Sequence, residues 1–339
     1  MKWDTYKTNF IKAAKANNKS IKYIEYCLKY ALYLYENDLP IIYDQTHFSM
    51  LVGYDIEYIS AASHKANLFY RTFNIPKKNG DLREISEPLP NLKDIQKWIL
   101  EEILYKCKVS KYAKAYIPRR SVKENARFHR NQKIVLTLDI KNFFGSIKYI
   151  KIYLFFRQLG YSVSLSTMLA NLCCLDGSLP QGAPTSPALS NLVTYRIDQR
   201  IGGFALNNNI RYTRYSDDMT FSGDFDEGRV IQFVSKVVSD EGLTLNDKKT
   251  RVRYASQRQE VTGITVNNKL QASKEMRRKL RQELYYINKY GLKSHLEMTN
   301  NSRSHYIYHL LGIAYFIIFI NPQDSEANLA VEKLKMYLV

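Results

Sequence analysis

The residues best equipped for chemistry lie in the run Arg-Tyr-Thr-Arg-Tyr-Ser-Asp-Asp-Met-Thr-Phe-Ser at 211–222, where Asp217 and Asp218 are adjacent. The β-branched and aromatic neighbours Tyr212, Thr213, Tyr215, Thr220 and Phe221 predict two strands joined by a tight turn that carries the pair. Adjacent carboxylates repel and titrate together. A divalent cation removes that repulsion, and hard oxygen ligands suit Mg²⁺, which pairs protein carboxylates with substrate phosphates. Alone, the pair reads equally as a solvated turn, since aspartate is a common turn residue. A segment upstream changes the weighing: residues 134–138 form an apolar strand that runs into Asp139 and then Phe143-Phe144. A carboxylate at the end of a buried strand needs a partner. Three carboxylates on adjacent strands can hold two Mg²⁺ ions about 3.5–4 Å apart, the arrangement used for in-line phosphoryl transfer.

A third segment, Leu-Pro-Gln-Gly-Ala-Pro-Thr-Ser-Pro at 179–187, narrows the chemistry. Gly182 permits close backbone approach to a ligand. Ser186 reads as an N-cap with Pro187 in the first helical position. The helix that follows keeps Leu189, Leu192, Val193, Ile197 and Ile201 on one face, and Gly202-Gly203 are expected to stop it. Taken in chain order, 134–144, 179–187 and 211–222 resemble motifs A, B and C of reverse transcriptases, with Tyr-Ser-Asp-Asp at 215–218 where that family usually has Tyr-Ala-Asp-Asp. Serine for alanine is small for small, so activity is expected to survive it.

Composition points the same way. The chain has 339 residues and a net charge of +18, which calls for a polyanionic partner, most simply nucleic acid. Its 27 tyrosines offer faces on which unpaired bases stack, although many belong in a core. Cys27, Cys107, Cys173 and Cys174 have no metal-ligand or disulfide spacing, and the opening residues lack a signal-peptide pattern. A reducing cytosolic setting is expected. The apolar run 307–320 contains His309 and is too short to span a bilayer, so it reads as a buried helix and no membrane partner is expected.

The remaining elements follow from periodicity. Residues 1–40 and 47–70 read as helical, the first with Ile21, Ile24, Leu28, Ala31 and Tyr35 on one face. Residues 70–85 change to a hairpin turning at Asn79-Gly80. In the reverse-transcriptase pattern this is the fingers hairpin, whose Lys78 and Arg83 would close on the incoming triphosphate, Arg bidentately and Lys as a point charge. The resemblance also assigns nucleotide contacts to Gln181, Gly182 and Phe144; the last would crowd the sugar 2′ position and exclude ribonucleotides, with Phe143 buried. Residues 107–133 read as basic and irregular. The run 242–250 resembles motif D, with Lys249, or alternatively Lys248, placed to protonate departing pyrophosphate. Ser273 reads as the cap of a helix bearing Met276, Leu280, Leu284 and Ile287 on one face and Arg277, Arg278 and Arg281 in its first turns. Those arginines could track an RNA backbone or form a solvated face.

Two short signatures specify the branch of the family. Asn125-Ala126-x-x-His129 and Val261-Thr262-Gly263 match those of retron reverse transcriptases, in the places where retrons carry them. The resemblance runs from about residue 48 onward. It implies an α+β right-hand polymerase fold: a helical N-terminal extension (1–68), fingers and basic region (69–133), palm (134–263) and helical thumb (264–339). It implies a Mg²⁺-dependent RNA-directed DNA polymerase using deoxynucleoside triphosphates, with catalytic Asp139, Asp217, Asp218 and Lys249. Its partners would be a cognate structured noncoding RNA, met by Asn125, His129, Val261, Thr262, Gly263 and the thumb arginines, and its DNA copy. Priming from a guanosine 2′-hydroxyl, multicopy single-stranded DNA and antiphage defence with a separately encoded effector are also implied. A group II intron-like or abortive-infection enzyme, and an idle RNA-binding scaffold restraining an effector, are the alternatives.

Overall fold

The computed structural model describes residues 2–77 and 80–338. The N-terminal extension is four helices, α1 (Trp3–Ala16), α2 (Ile21–Glu36), α3 (Gln45–Val52) and α4 (Ile56–His64). Ser20 and Asp44 cap α2 and α3 through their side chains, as short polar residues at helix starts do. Ile24, Cys27, Ala31 and Leu34 form the buried stripe of α2, whereas Ile21 and Tyr35 are exposed, so the buried face is rotated from the one that the sequence pattern suggests.

Strands β1 (Tyr70–Pro76) and β2 (Leu82–Pro88) form the expected antiparallel hairpin, in register Tyr70↔Pro88 through Pro76↔Leu82. Helix α5 (Pro90–Glu102) follows, with Pro90 in its first turn. Helix α6 (Val122–Phe128) interrupts what reads as an irregular basic stretch; Ser121 caps it by accepting from the Glu124 N–H. Next come β3 (Ile134–Asp139), α7 (Phe143–Ser146), α8 (Tyr149–Gln158) and α9 (Val163–Cys173).

Helix α10 runs Thr185–Val193 and α11 runs Tyr195–Asn207. Two expectations are corrected here. Ser186 lies inside α10 and is buried rather than capping it. Gly202-Gly203 lie within α11, and the break falls earlier, at Thr194, whose hydroxyl donates to the Ser190 carbonyl. Strands β4 (Arg211–Tyr215) and β5 (Asp218–Gly223) precede α12 (Glu227–Asp240), β6 (Arg251–Tyr254) and three two-residue strands, β7 (Glu260–Val261), β8 (Ile264–Thr265) and β9 (Gln271–Ala272). The chain ends in α13 (Lys274–Tyr290), α14 (Leu292–Met298), α15 (Tyr306–Ile320) and α16 (Ser325–Lys335).

The chain divides into two compact units that interleave in sequence: 1–116 with 140–200 and 237–244, and 117–139 with 201–236 and 245–339. Strand pairing between distant segments builds the second unit, so contiguous sequence blocks do not coincide with it. Its sheet is antiparallel in the order β4-β5-β3-β6. The helices α13, α15 and α16 pack around Leu280, Ile287, Leu310, Ala314, Ile317, Ala330 and Leu334. Ser273 caps α13 as the sequence predicts, accepting from the Met276 N–H. Among the described residues no helix is long and apolar enough to cross a membrane.

Candidate active site

The second unit carries the carboxylates. β3 ends at Asp139, which is paired in register with Asp218, the first residue of β5. The turn between β4 and β5 is two residues, Ser216-Asp217, so tight pairing alone delivers both aspartates to the end of β3. Ser216 has φ +62°, a left-handed conformation uncommon for a residue with a side chain. Arg214, fully buried, donates from Nη1 to the Ser216 carbonyl at 2.9 Å and holds the turn in shape.

Carboxylate oxygens of Asp139, Asp217 and Asp218 lie within 4.8 Å of one another. Asp139 is buried, Asp217 half-buried and Asp218 exposed. The carboxyl of Asp218 is pushed up to about 7 by the protein atoms packed around it and then by the charges of Asp217 and Asp139, although the side chain still reaches solvent. Asp217 is raised as well, by burial and then by Asp139. Both shifts record burial first and, after it, like charges held close together. The donor set is all oxygen, anionic and close enough to share ions, so it fits a hard divalent cation.

Lys249 Nζ reaches Asp139 Oδ2 at 2.8 Å, and Asn246 Nδ2 reaches Asp139 Oδ1 at 3.3 Å. The Asn246 backbone N–H also donates to the Asp139 carbonyl at 2.8 Å. The lysine is held above its ordinary pKa, first by this hydrogen bond, and so carries its proton at neutral pH. Both lysines left open by the sequence are exposed, and they differ in contact: Lys249 Nζ meets Asp139, whereas Lys248 has no ion pair among the described residues.

The other candidate residues are placed as follows. In the first unit Phe143 is buried and Phe144 half-buried, its ring 6.3 Å from that of Tyr116. Arg83 is exposed on β2, and Lys78 lies outside the described residues. Gly182 (φ +130°) makes its close approach to protein: a Cβ there would sit 2.6 Å from the Ser86 carbonyl oxygen. The neighbouring Gln181 carbonyl accepts from the Ser86 N–H at 2.7 Å, which ties this loop to the fingers hairpin.

In the second unit, the expected RNA contacts need correcting by burial. Asn125, His129 and Val261 are fully enclosed, so their side chains cannot touch RNA in this conformation. Thr262 and Gly263, both at positive φ, form the two-residue turn between β7 and β8, with Gly263 exposed. Arg277 lies 3.0 Å from Asp324, as an ion pair not aligned for a hydrogen bond, and Arg281 lies 3.1 Å from Glu326. Arg278 is exposed and has no ion pair among the described residues.

Sequence reasoning missed Asn246, Arg214, Thr213 and Ser222. A faint signal existed for Arg214, a charged residue within an otherwise buried strand.

Residues 75–266 match the family described as reverse transcriptase (RNA-dependent DNA polymerase). The Retron Mx65 reverse transcriptase of Myxococcus xanthus is 35% identical over 277 residues, covering 76% of this chain and 62% of that one. The Retron Ec86 reverse transcriptase of Escherichia coli is 31% identical over 255 residues, covering 74% and 79%. The chain thus spans less than two thirds of the Mx65 protein but more of Ec86. Among solved structures, the foamy viral protease-reverse transcriptase dRH in complex with ds DNA aligns with a TM-score of 0.43 and 16% identity, over 79% of this chain and 43% of that one.

Proposed function

We propose a function from one premise: this chain belongs to the retron reverse transcriptases, and it copies RNA into DNA at the site formed by Asp139, Asp217 and Asp218. The observation that carries the reading is the convergence of three carboxylates, on two paired strands, with oxygens within 4.8 Å. Bound Mg²⁺ ions would activate the attacking hydroxyl and neutralise the leaving pyrophosphate. Asp139 is steadied for that task by Asn246, and Lys249 Nζ carries a proton that it can give to the pyrophosphate oxygen. Deoxynucleoside triphosphates are the substrates, with Arg83, Gln181 and Phe144 as contacts and Phe144 selecting against a 2′-hydroxyl.

The template and primer are a structured noncoding RNA encoded with the enzyme, primed from a guanosine 2′-hydroxyl to give multicopy single-stranded DNA. The family resemblance and the charge of +18 support this. Arg278 and the exposed faces of α13 are the thumb surface offered to that RNA. Action in the bacterial cytoplasm, in antiphage defence with a separate effector chain, completes the proposal.

Two measurements test it. Asp217→Asn with Asp218→Asn should abolish DNA synthesis and leave RNA binding intact; DNA synthesis by that variant would refute the site assignment. Nucleic acid copurified from the native host, after ribonuclease treatment, should contain a discrete single-stranded DNA joined 2′–5′ to a nucleotide. Unbranched DNA would point to another reverse-transcriptase lineage, and RNA without DNA to a scaffold.

A further inference from the structure

The residues of the two retron signatures converge on the enclosed side of the catalytic hairpin. His129 ends α6 and is fully buried. Its Nε2 lies 2.7 Å from Thr213 Oγ1 on β4, and its Nδ1 lies 2.7 Å from Ser222 Oγ on β5. Thr213 stands four residues before Asp217, and Ser222 four residues after Asp218. One imidazole therefore ties both strands of the hairpin at equal distances along the chain from its two aspartates.

The hydrogens follow from the partners. The Thr213 hydroxyl donates to Asn125 Oδ1 at 2.7 Å, so toward His129 it can only accept. Nε2–H is therefore the donor toward Thr213, and Nδ1 shares a hydrogen bond with the Ser222 hydroxyl. Asn125 thus sets the direction of the Thr213–His129 bond. The foundation is apolar: Ala126, between the two signature residues, packs in one cluster with Val135 of β3 and with Val261, Ile264 and Val266. Val261 belongs to the second signature. Both signatures thus build the support under the hairpin.

We propose that His129 is a positioning residue for the catalytic turn, acting through Thr213 and Ser222, with Asn125 holding Thr213 and Ala126 and Val261 forming its seat. The proposal rests on the polymerase reading above and gives the signature residues a task other than touching RNA. A buried network of this kind holds its strands in a single register, because displacing either strand strands a polar group without a partner.

The test uses the 339-residue chain with its copurified RNA and four variants. His129→Phe keeps the ring volume and removes both bonds. Thr213→Val and Ser222→Ala remove one bond each, and Thr213→Ser restores the hydroxyl. Three readouts are taken: hydrogen exchange of the 211–223 segment by mass spectrometry, Mn²⁺ binding by titration, and the dissociation constant for the RNA. For His129→Phe we expect faster exchange in the hairpin and Mn²⁺ affinity lower by about tenfold, with RNA affinity within about twofold of the parent. Thr213→Ser should match the parent in all three. Unchanged exchange and Mn²⁺ affinity overturn the proposal, and a loss of RNA affinity alone restores the contact reading. If His129→Phe does not fold, Thr213→Val and Ser222→Ala are read the same way, and failure of all three to fold makes the network a general folding element and ends the proposal. Neither exchange nor Mn²⁺ titration needs turnover, so a parent protein that binds Mn²⁺ but makes no DNA counts against the polymerase reading alone.

Discussion

Lys249 Nζ sits 2.8 Å from Asp139 Oδ2, so the lysine assigned to the leaving group is first a counter-ion of the carboxylate cluster. In this arrangement one lysine faces three carboxyls. Replacing it removes both a proton donor and a counter-ion. Lys249→Met should slow nucleotide incorporation by about a hundredfold, the lower end of what a positioned general acid contributes. Lys248→Met, altering an exposed neighbour, should leave the rate nearly unchanged. Single-turnover extension of a primed RNA template measures both, and equal losses would show that the structure separates the two lysines wrongly.

The raised carboxyl of Asp218 has a signed consequence for stability. A folded-state pKa near 7, above the 3.8 of an ordinary aspartate, means that near neutral pH the folded protein holds a proton which the unfolded chain has lost. The stability this contributes is complete below the unfolded pKa and is lost as pH rises through about 7. In the presence of a chelator, Tm should therefore fall between roughly pH 4 and pH 8 by more in the parent than in Asp218→Asn. Mg²⁺ should remove that difference by taking the protons' place. Thermal melts across pH, with chelator and with Mg²⁺, decide it; identical pH profiles for parent and variant would argue against the crowding.

Gly182 answers to a neighbouring strand. A methyl there meets the Ser86 carbonyl oxygen at 2.6 Å, and φ +130° is a conformation that L side chains rarely adopt. Gly182→Ala should destabilise by about 1–3 kcal/mol and loosen the tie between this loop and the fingers hairpin. Denaturant unfolding gives the first number, and the KM for deoxynucleotide reports the second.

Ser216 occupies its left-handed turn at some cost. Ser216→Gly should keep the turn, whereas Ser216→Val, β-branched and at φ +62°, should lose about 1–3 kcal/mol and most of the activity. Melting temperature and extension rate, measured together, distinguish this from a uniform tolerance of small residues.

The thumb arginines should divide. Arg277→Ala leaves Asp324, a buried carboxylate that also caps α16, without its partner and should destabilise by about 2 kcal/mol. Arg278→Ala should leave stability unchanged, weaken RNA binding and reduce its salt dependence by about one counterion. Urea melts and filter binding across salt concentration read the two effects separately.

What the sequence determined is local. Period-two patterning around Asp217-Asp218, the apolar run into Asp139 and the strand-like runs 70–76 and 82–88 each encode a strand from neighbouring residues, and the four-stranded sheet and the fingers hairpin follow them, while Asn79 of the expected turn lies outside the described residues. The pair Asp217-Asp218 was legible for the same reason, since chain connectivity alone holds the two together; Asp139 joins them through the pairing of β3 with β5. What the tertiary structure decided is which polar groups face inward. Asn125 and His129 are identical in sequence whether they meet RNA or meet Thr213 and Ser222. Only the packing of α6 on β3 and the β7–β8 hairpin encloses them. Asn246 reaches Asp139 across 107 residues of chain, and Arg277 finds Asp324 across the fold of the thumb. Such partners carry no local pattern, because burying a polar group imposes a need for a partner without specifying where in the chain that partner lies.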